Sequence, residues 1–551
     1  MFPKSKLHFA AEGTHVFSPI AYACLAFILS FIVLHFQYFI GHDGVWYVRM
    51  AQNIFAGRGI SVNPGEAYID HPPFYPVLIG VANIFFEDLE FSGHLVSVLA
   101  FSLSLIPFFF LVRSIYPGYS AHWASLLFAT NGFLLIHSNM VLAESLFVFL
   151  LLIQVQRVHQ IIQEPKSSVK AGVLFGALAG LTYLTRPEGL LFYAAGALSI
   201  LLLCPQSFAF RIRVLFFSFF MFLILAVPYL VFVHHHSGKW QMSGAITELF
   251  VKRQMDVSFP GGYLEAKKIY QGLTDDKTRL KLDELKENFR LLDYLRKDHF
   301  TMVRAGLSSM IWRFLEFNRY FFGGLGFFFV GAAWISVPWN VRRKRTELLF
   351  LIFLLTALPQ LFGIFHPKRF FLYFPFFLIW MGEGIEVLRH WAQESFHWHP
   401  RSSQVLALGT CLFFALPSAG YVAYCVKGTP VPTEYQELGL WMKRNIPHIE
   451  EERVASRHPS IIYYSGAKIL NPPYLPYVDK WEDLLSYLRH QHAKYFVVSS
   501  DLERPTLDAF RVLLKNPAGL PPSIHLLHTV KGRTTVVLFE VINPPPAERT
   551  F

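Results

Sequence analysis

The chain has few charged residues for its length. Of its 551 residues, 16% are Asp, Glu, Lys or Arg, whereas about 25% is typical of soluble proteins. Hydrophobic residues make up 53% and aromatic residues 17%, and the mean hydropathy is +0.37. This balance excludes a soluble enzyme, a disordered chain and a fibrous protein, and it indicates an integral membrane protein.

Other sequence features are also scarce. The 4 cysteines form no CxxC pair, so neither a disulfide framework nor a zinc site is implied. Walker A, GxSxG, HExxH and Rossmann motifs are missing, which leaves ATP-driven transport and common hydrolase chemistry without support. No asparagine stands in an Asn-x-Ser/Thr sequon, which favours a bacterial membrane over the endoplasmic reticulum.

Long apolar runs dominate what is present. A membrane-spanning helix needs about 20 mostly apolar residues, and we predict eleven such helices at residues 18–40, 93–112, 121–137, 144–162, 171–185, 189–204, 214–233, 320–338, 348–365, 370–388 and 403–424. The shorter run 74–86 predicts an interfacial or re-entrant helix. The first run is too long for a signal peptide, so we expect it to be retained as an anchor.

Lysine and arginine counts predict the orientation. With the N-terminus inside, the short inside loops hold fourteen of these residues and the short outside loops hold five. We therefore expect a cytoplasmic N-terminus and an external C-terminus. Much of the net charge of +11 follows from this bias, so anionic lipids or a phosphorylated lipid substrate, rather than nucleic acid, are the expected partners.

We predict two domains. Residues 1–425 would form the transmembrane domain, with large outer loops at 41–92 and 234–319, the latter including an amphipathic stretch at Leu280–Tyr294. Residues 426–551 would form a small external α/β domain with a disordered Pro-rich end. Its pattern predicts helices at Tyr435–Asn445 and Trp481–Gln491, a strand at Lys494–Ser499, and a hairpin of Ile524–Val530 with Thr534–Ile542.

The prominent charged residues gather at the predicted outer helix ends, and the helix interiors are nearly free of charge. Transporters instead carry ionisable residues in mid-membrane. Charges at one interface favour chemistry on a molecule whose polar group lies there, and the residues concerned are Asp43, Asp70, Glu144, Arg186, Glu188, Lys368 and Arg369.

Each of these residues also has a structural interpretation. Asp43 suits a general base toward a hydroxyl or amine, but aspartate also caps helices. Glu144 suits a second acid near an acceptor, but a carboxylate also stabilises a helix N-terminus. Arg186 suits a phosphate ligand, but it could pair with Glu188 or Glu144. Lys368, Arg369 and His71 also suit phosphate ligands, but structural ion pairs or hydrogen bonds would explain them equally.

A histidine tract, His234-His235-His236, resembles a metal-binding sequence. Adjacent helical residues point about 100° apart, so they cannot all bind one ion. We predict no metal site there.

Several motifs, taken in order, resemble the GT-C glycosyltransferases that use polyprenyl-phosphate sugars, relatives of the protein O-mannosyltransferases and the lipid A aminoarabinose transferase. The resemblance covers nearly the whole chain. It rests on Asp43, Tyr47 and Gly57-Arg58-Gly59, an HPPxYP-like segment at His71–Pro76, Glu144, the turn Leu184–Gly189, Arg369 with Pro375, and a Tyr-Tyr-Ser-Gly turn at Tyr463–Gly466.

The resemblance implies a bacterial inner-membrane enzyme that moves a sugar from a polyprenyl phosphate to a lipid, glycan or protein acceptor with inversion. Asp43 would be the base and Glu144 would support the acceptor. His71, Arg186 and Arg369 would hold the donor phosphate. Tyr47, Lys368 and Glu188 are further site candidates. Many relatives carry two adjacent acids after the first helix, but position 44 is Gly, so metal-free chemistry without cofactors is the simpler expectation.

Three other functions stay open from the sequence. A transporter or flippase of lipid-linked saccharides predicts mid-membrane polar residues or inverted repeats. A polymerase or ligase would keep the polyprenyl donor and move an oligosaccharide. A scaffold without enzymatic activity would leave the outer charges unexplained.

Overall fold

The computed structural model describes residues 18–164, 169–244, 324–357, 370–428, 431–470, 481–500 and 522–542, and four isolated positions between 307 and 315. Several predictions fall outside these residues. They are the stretch Leu280–Tyr294, most of the loop 234–319, the disordered end, Lys368 and Arg369.

Fourteen helices lie before residue 431 in the described part of the chain. They are α1 (Ser18–Gln37), α2 (His42–Phe55), α3 (Phe74–Phe86), α4 (Leu89–Ile115), α5 (Ser120–Thr130), α6 (Gly132–Ser138), α7 (Glu144–Gln163), α8 (Val169–Thr185), α9 (Gly189–Leu203), α10 (Phe208–Ser237), α11 (Gly326–Ser336), α12 (Val341–Leu354), α13 (Phe370–Phe396) and α14 (Pro400–Gly428). A short hairpin, β1 (Ser61–Asn63) with β2 (Glu66–Ala67), follows α2.

Every predicted apolar run overlaps a helix. Run 121–137 is divided into α5 and α6 at Asn131, whose side chain caps α6 by accepting a hydrogen bond from the Leu134 N–H. Six of the described helices are long and apolar enough to cross a membrane, and four apolar helices are shorter. The prediction of a multi-pass helical membrane protein is confirmed.

Burial separates central helices from peripheral ones. In the apolar windows of α13 and α4, 83% and 72% of the residues are buried, whereas the corresponding shares in α10 and α14 are 28% and 22%. Long apolar helices with mostly uncovered side chains are suited to contact with lipid. α4 and α13 therefore form the centre of the helical bundle.

The C-terminal region forms an α/β domain. Its elements are α15 (Thr433–Asn445), β3 (Arg453–Ala455), α16 (Pro459–Ser465), β4 (Lys468–Ile469), α17 (Trp481–His490), β5 (Ala493–Ser499), β6 (Ile524–Lys531) and β7 (Thr535–Val541). The strand order is β4-β3-β5-β7-β6, with β3 parallel to β4 and β5, and β7 antiparallel to β5 and β6. The predicted helices, buried strand and hairpin are all present.

The chain forms two compact units. Within the described residues, the first unit contains 18–38, 69–244 and 324–428. The second contains 39–68 together with 431–542. The segment after α1, which carries Asp43, therefore belongs to the same unit as the C-terminal sheet. The predicted domain boundary near residue 425 stays a prediction.

Candidate functional site

Three charged residues of the first unit meet at the starts of two helices. Glu144 is the first residue of α7, and Glu188 is the N-cap residue of α9. Arg186 lies between α8 and α9 and pairs with both acids, at 2.5 Å to Glu144 and 3.0 Å to Glu188. We call Glu144, Arg186 and Glu188 the Glu144 cluster.

The turn that carries Arg186 is fixed by its backbone. The Arg186 N–H donates to the Thr182 carbonyl at 3.0 Å, and the Gly189 N–H donates to the Arg186 carbonyl at 2.9 Å. A Cβ atom at Gly189 would lie 2.5 Å from the Tyr183 backbone nitrogen. Only glycine allows α9 to start this close to the end of α8, which accounts for the glycine of the Leu184–Gly189 motif.

The Glu144 cluster is shielded from solvent. The side chains of Glu144, Arg186 and Glu188 are 2%, 13% and 15% exposed. With one cation and two carboxylates the cluster carries a formal charge of −1. Both salt bridges that the sequence offered as structural alternatives are formed. A phosphate bound to Arg186 would have to share the guanidinium with two acids.

A tyrosine that the sequence did not single out supports this region. Tyr75, from the His71–Pro76 segment, is fully buried, and its hydroxyl lies 2.6 Å from the Ser97 hydroxyl and donates to the Gly93 carbonyl at 3.2 Å. Ser97 in turn donates to the Leu142 carbonyl, two residues before Glu144. The tyrosine of the motif therefore connects α3 and α4 to the chain that leads into α7.

His71 follows a segment that is anchored to the end of α10. The Ile69 carbonyl accepts hydrogen bonds from the Tyr229 hydroxyl and the Gly244 N–H, both at 3.0 Å. His71 itself is half-buried. The structure thus holds the backbone around His71 in place within the first unit.

Asp43 lies in the second unit, in the first turn of α2. Gly41 is the N-cap residue of this helix, and no side chain caps it, so Asp43 does not serve as the cap. Its side chain is 32% exposed and lies 3.3 Å from Nδ1 of His42. The helix N-terminus stabilises the carboxylate form. Asp43 is therefore a solvent-accessible carboxylate at the start of a helix.

Tyr47 is one helical turn after Asp43 and is 3% exposed. Its neighbour Trp46 is also buried, and the Trp46 ring stacks on Tyr68 with 6.2 Å between ring centroids. These aromatic side chains hold α2 in the second unit, which favours a packing role for Tyr47.

Metal ligands do not converge in the described parts of the chain, where no group of three His, Cys, Asp or Glu side chains could hold an ion. The His234 ring stacks on Trp240 and the His236 ring contacts Phe232, so these two histidines make separate contacts.

The sequence missed a second charged cluster in the first unit. Five buried residues form it, and we call them the Glu386 cluster: Arg343, Glu347, Glu383, Glu386 and Arg389. Arg389 binds Glu386 through two hydrogen bonds of 2.8 and 2.9 Å. Glu383 and Glu386 lie within the predicted run 370–388, so that run is not free of charge.

The observed helix boundaries explain why the sequence did not predict the Glu386 cluster. α12 begins at Val341, seven residues before the predicted run, and α13 continues to Phe396, eight residues past the predicted end. Arg343 and Arg389 were thus assigned to loops, although both lie within helices. Glu383 and Glu386 lie inside a run that is apolar on average.

Comparisons with known proteins agree with this architecture. A family model described as dolichyl-phosphate-mannose-protein mannosyltransferase matches residues 70–232, a segment that contains His71, Glu144, Arg186 and Glu188. No curated protein matches the chain.

Two solved structures resemble the whole fold. The first is the archaeal oligosaccharyltransferase AglB from Archaeoglobus fulgidus, in complex with an inhibitory peptide and a dolichol-phosphate. It is 13% identical with a TM-score of 0.59, and the match covers 90% of this chain and 71% of that chain.

The second is ArnT from Cupriavidus metallidurans bound to undecaprenyl phosphate. It is 12% identical with a TM-score of 0.55, and the match covers 94% of this chain and 97% of that chain. On the agreement of fold and family model, this chain has the multi-pass helical fold of the GT-C glycosyltransferases.

Proposed function

We propose that this protein is a membrane glycosyltransferase. It transfers a sugar from a polyprenyl-phosphate donor to a lipid, glycan or protein acceptor at the outer face of a bacterial inner membrane. The observation that carries the proposal is the GT-C fold, which places an accessible carboxylate, Asp43, directly after the first membrane helix. AglB and ArnT, which share the fold, were solved with dolichol-phosphate and undecaprenyl phosphate.

The proposed reaction is a single displacement at the anomeric carbon. Asp43 accepts the proton of the acceptor hydroxyl or amine while that oxygen or nitrogen forms the bond to the anomeric carbon. The bond from the anomeric carbon to the phosphate oxygen breaks, and the polyprenyl phosphate leaves with the electron pair. The configuration of the sugar inverts.

The remaining residues have supporting roles in this proposal. His71, Arg186 and Arg369 stabilise the charge on the leaving phosphate, and Glu144 orients the acceptor. Glu188 keeps Arg186 in place, while Tyr47 and Lys368 are secondary candidates. We propose chemistry without a metal, because Gly44 stands where a second acid would be needed and Arg186 engages both Glu144 and Glu188.

The decisive experiment is replacement of the base. Asp43→Asn keeps the size of the side chain and removes its basicity, and we expect transfer to fall about 10²–10⁴-fold. The assay would offer radiolabelled undecaprenyl-phosphate mannose and glucose, with bacterial envelope extract as the acceptor. Asp88→Asn is the matched control, because Asp88 also stands at a helix start but caps it, a task that Asn performs equally well. Full activity of Asp43→Asn would refute this role.

Donor binding can be tested without knowing the sugar. Undecaprenyl phosphate, the expected product, should raise the melting midpoint of the detergent-purified protein, because a ligand that binds only the folded state stabilises it. Undecaprenol is the control without phosphate. Arg186→Ala and Arg369→Ala should each reduce the phosphate-dependent part of the shift. A folded wild-type protein that shows no shift would argue against a polyprenyl-phosphate donor.

A further inference from the structure

The Tyr-Tyr-Ser-Gly motif has a defined place in the C-terminal domain, but the proposed reaction gives it no role. It forms the end of α16, where Gly466 adopts a left-handed conformation with φ of 80°. The Gly466 N–H donates to the carbonyls of Ile462 and Tyr463, at 3.1 and 3.2 Å. The carbonyls at the end of a helix carry partial negative charge, which favours a cation beside them.

A cation from α2 binds this helix end. One terminal nitrogen of Arg49, Nη2, donates to the carbonyls of Ile462 and Ala467, both at 3.1 Å. These three residues all belong to the second unit. The first segment after α1 is thus connected to the C-terminal domain by a charge-assisted contact with a helix C-terminus.

Asparagine provides a second connection within the same unit. The Asn63 amide donates to the Ile469 carbonyl at 2.7 Å and accepts from the Ile469 N–H at 2.9 Å. Asn63 is on β1, and Asn53 of α2 donates to the Ser61 carbonyl of that strand at 2.9 Å. α2, the β1–β2 hairpin and β4 are therefore joined by successive hydrogen bonds.

Helix geometry places Arg49 and the Asp43 carboxylate on different parts of the α2 surface. Six residues of α-helix correspond to about 9 Å along the axis and roughly 240° of rotation, so Asp43 and Arg49 lie on different faces of α2. One face is fixed to the C-terminal domain and the other presents the carboxylate. Burial lowers the pKa of the Arg49 guanidinium, as expected for an arginine that is enclosed by protein.

We propose that Arg49 is a positioning residue through which the C-terminal domain fixes α2, and with it the Asp43 carboxylate. This inference rests on the proposed function, since it assumes that Asp43 is the base. It gives the C-terminal domain a role in holding the catalytic helix, in addition to any contact with the acceptor. The two carbonyls to which Arg49 donates, those of Ile462 and Ala467, flank the Tyr463–Gly466 turn.

Hydrogen exchange tests the structural half of the proposal in the full-length protein. Arg49→Ala removes the donor and leaves two carbonyls without it, so amides of α2 (His42–Phe55) should exchange about fivefold faster or more. Arg453→Ala is the matched control, because Arg453 also joins the two parts of this unit, through an exposed 2.7 Å salt bridge to Glu66. The control should leave exchange in α2 unchanged. Unchanged exchange in Arg49→Ala would overturn the proposal.

A double-mutant cycle tests the catalytic half. Using the donor that is active in the transfer assay, Arg49→Ala should lower kcat roughly 10–100-fold with little change in KM, because misplacement of the reacting groups by about 1 Å has effects of this size. Arg49→Lys should recover part of the loss, since an ammonium also donates to carbonyls. In the Asp43→Asn background, Arg49→Ala should cause no further loss.

The outcomes separate the two proposals. Equal losses from Arg49→Ala with and without Asp43 would show that Arg49 does not act through the carboxylate, and would overturn this inference. Full activity of Asp43→Asn would remove the base assignment, while faster exchange of α2 in Arg49→Ala would still show that Arg49 anchors the helix.

Discussion

The Glu144 cluster and the Glu386 cluster are both buried groups of carboxylates and arginines, at opposite ends of α4. Gly93 and Ser97, near the start of α4, contact the chain that leads into Glu144. Tyr116, directly after α4, donates to Glu347 at 2.7 Å. The residues between Ser97 and Tyr116 correspond to roughly 28 Å of helix, close to the thickness of the hydrocarbon core. Each interface region thus has its own charged cluster.

The two clusters differ in how their acids are held. Neutral donors from separate elements bind the acids of the Glu386 cluster: Trp380 to Glu347, Ser120 to Glu383 and Trp123 to Glu386, at 2.6–2.9 Å. The Glu144 cluster is formed at the starts of two helices, and Arg186 bridges its two acids. Extensive fixed hydrogen bonding favours a structural role for the Glu386 cluster, whereas the Glu144 cluster carries a net negative charge and contains residues that we propose take part in the reaction.

The largest effect should come from the Glu386 cluster. Glu386→Gln takes the carboxylate from Arg389, and loss of one partner of a buried ion pair costs about 3–5 kcal/mol. We expect a strongly lowered melting midpoint in detergent. Glu394→Gln is the control, since Glu394 is exposed on the same helix. An unchanged midpoint for Glu386→Gln would show that this cluster does not stabilise the fold.

The backbone of the Glu144 cluster should be sensitive to a single methyl group. Gly189→Ala would place a Cβ atom against the Tyr183 backbone, and overpacking of this kind costs about 1–3 kcal/mol. Because α9 must shift, transfer activity should fall as well. Gly331→Ala on α11 is the control, because nothing lies within 4 Å of a Cβ atom there. Equal stability and activity of both variants would contradict the close contact.

Hydropathy and short motifs predict much of this fold. Apolar runs indicate the membrane helices, and the turn Leu184–Gly189 brings Arg186 and Glu188 together because they are two residues apart. The Glu386 cluster could not be predicted from hydropathy or short motifs. Ser120 and Trp123 precede the acids that they bind, Glu383 and Glu386, by 263 residues. The Arg49 contact with Ile462 spans 413 residues. Such pairs depend on tertiary packing, which window averages do not record.

Glu144→Gln should reduce activity more than stability, the reverse of the result expected for Glu386→Gln. Arg186 keeps Glu188 as a partner at 3.0 Å, and the formal charge of the cluster changes from −1 to zero. We therefore expect a small change in the melting midpoint but a loss of transfer of up to about 100-fold, as expected for a group that orients the acceptor. Parallel losses of stability and activity would mean that the two clusters have the same, structural, role.

Metal removal should have the smallest effect. A divalent ion in a transferase site is bound by carboxylates and substrate phosphates, but Asp43 is followed by Gly44, and Arg186 already neutralises one of the two acids of its cluster. EDTA should therefore change the rate of transfer less than about twofold, within the range of weak electrostatic effects. Magnesium, manganese and zinc would each be added back as controls. Strong inhibition that one of these ions reverses would mean that the carboxylates of the Glu144 cluster bind a metal instead of Arg186. Metal binding, and not the pairing with Arg186, would then distinguish the Glu144 cluster from the Glu386 cluster.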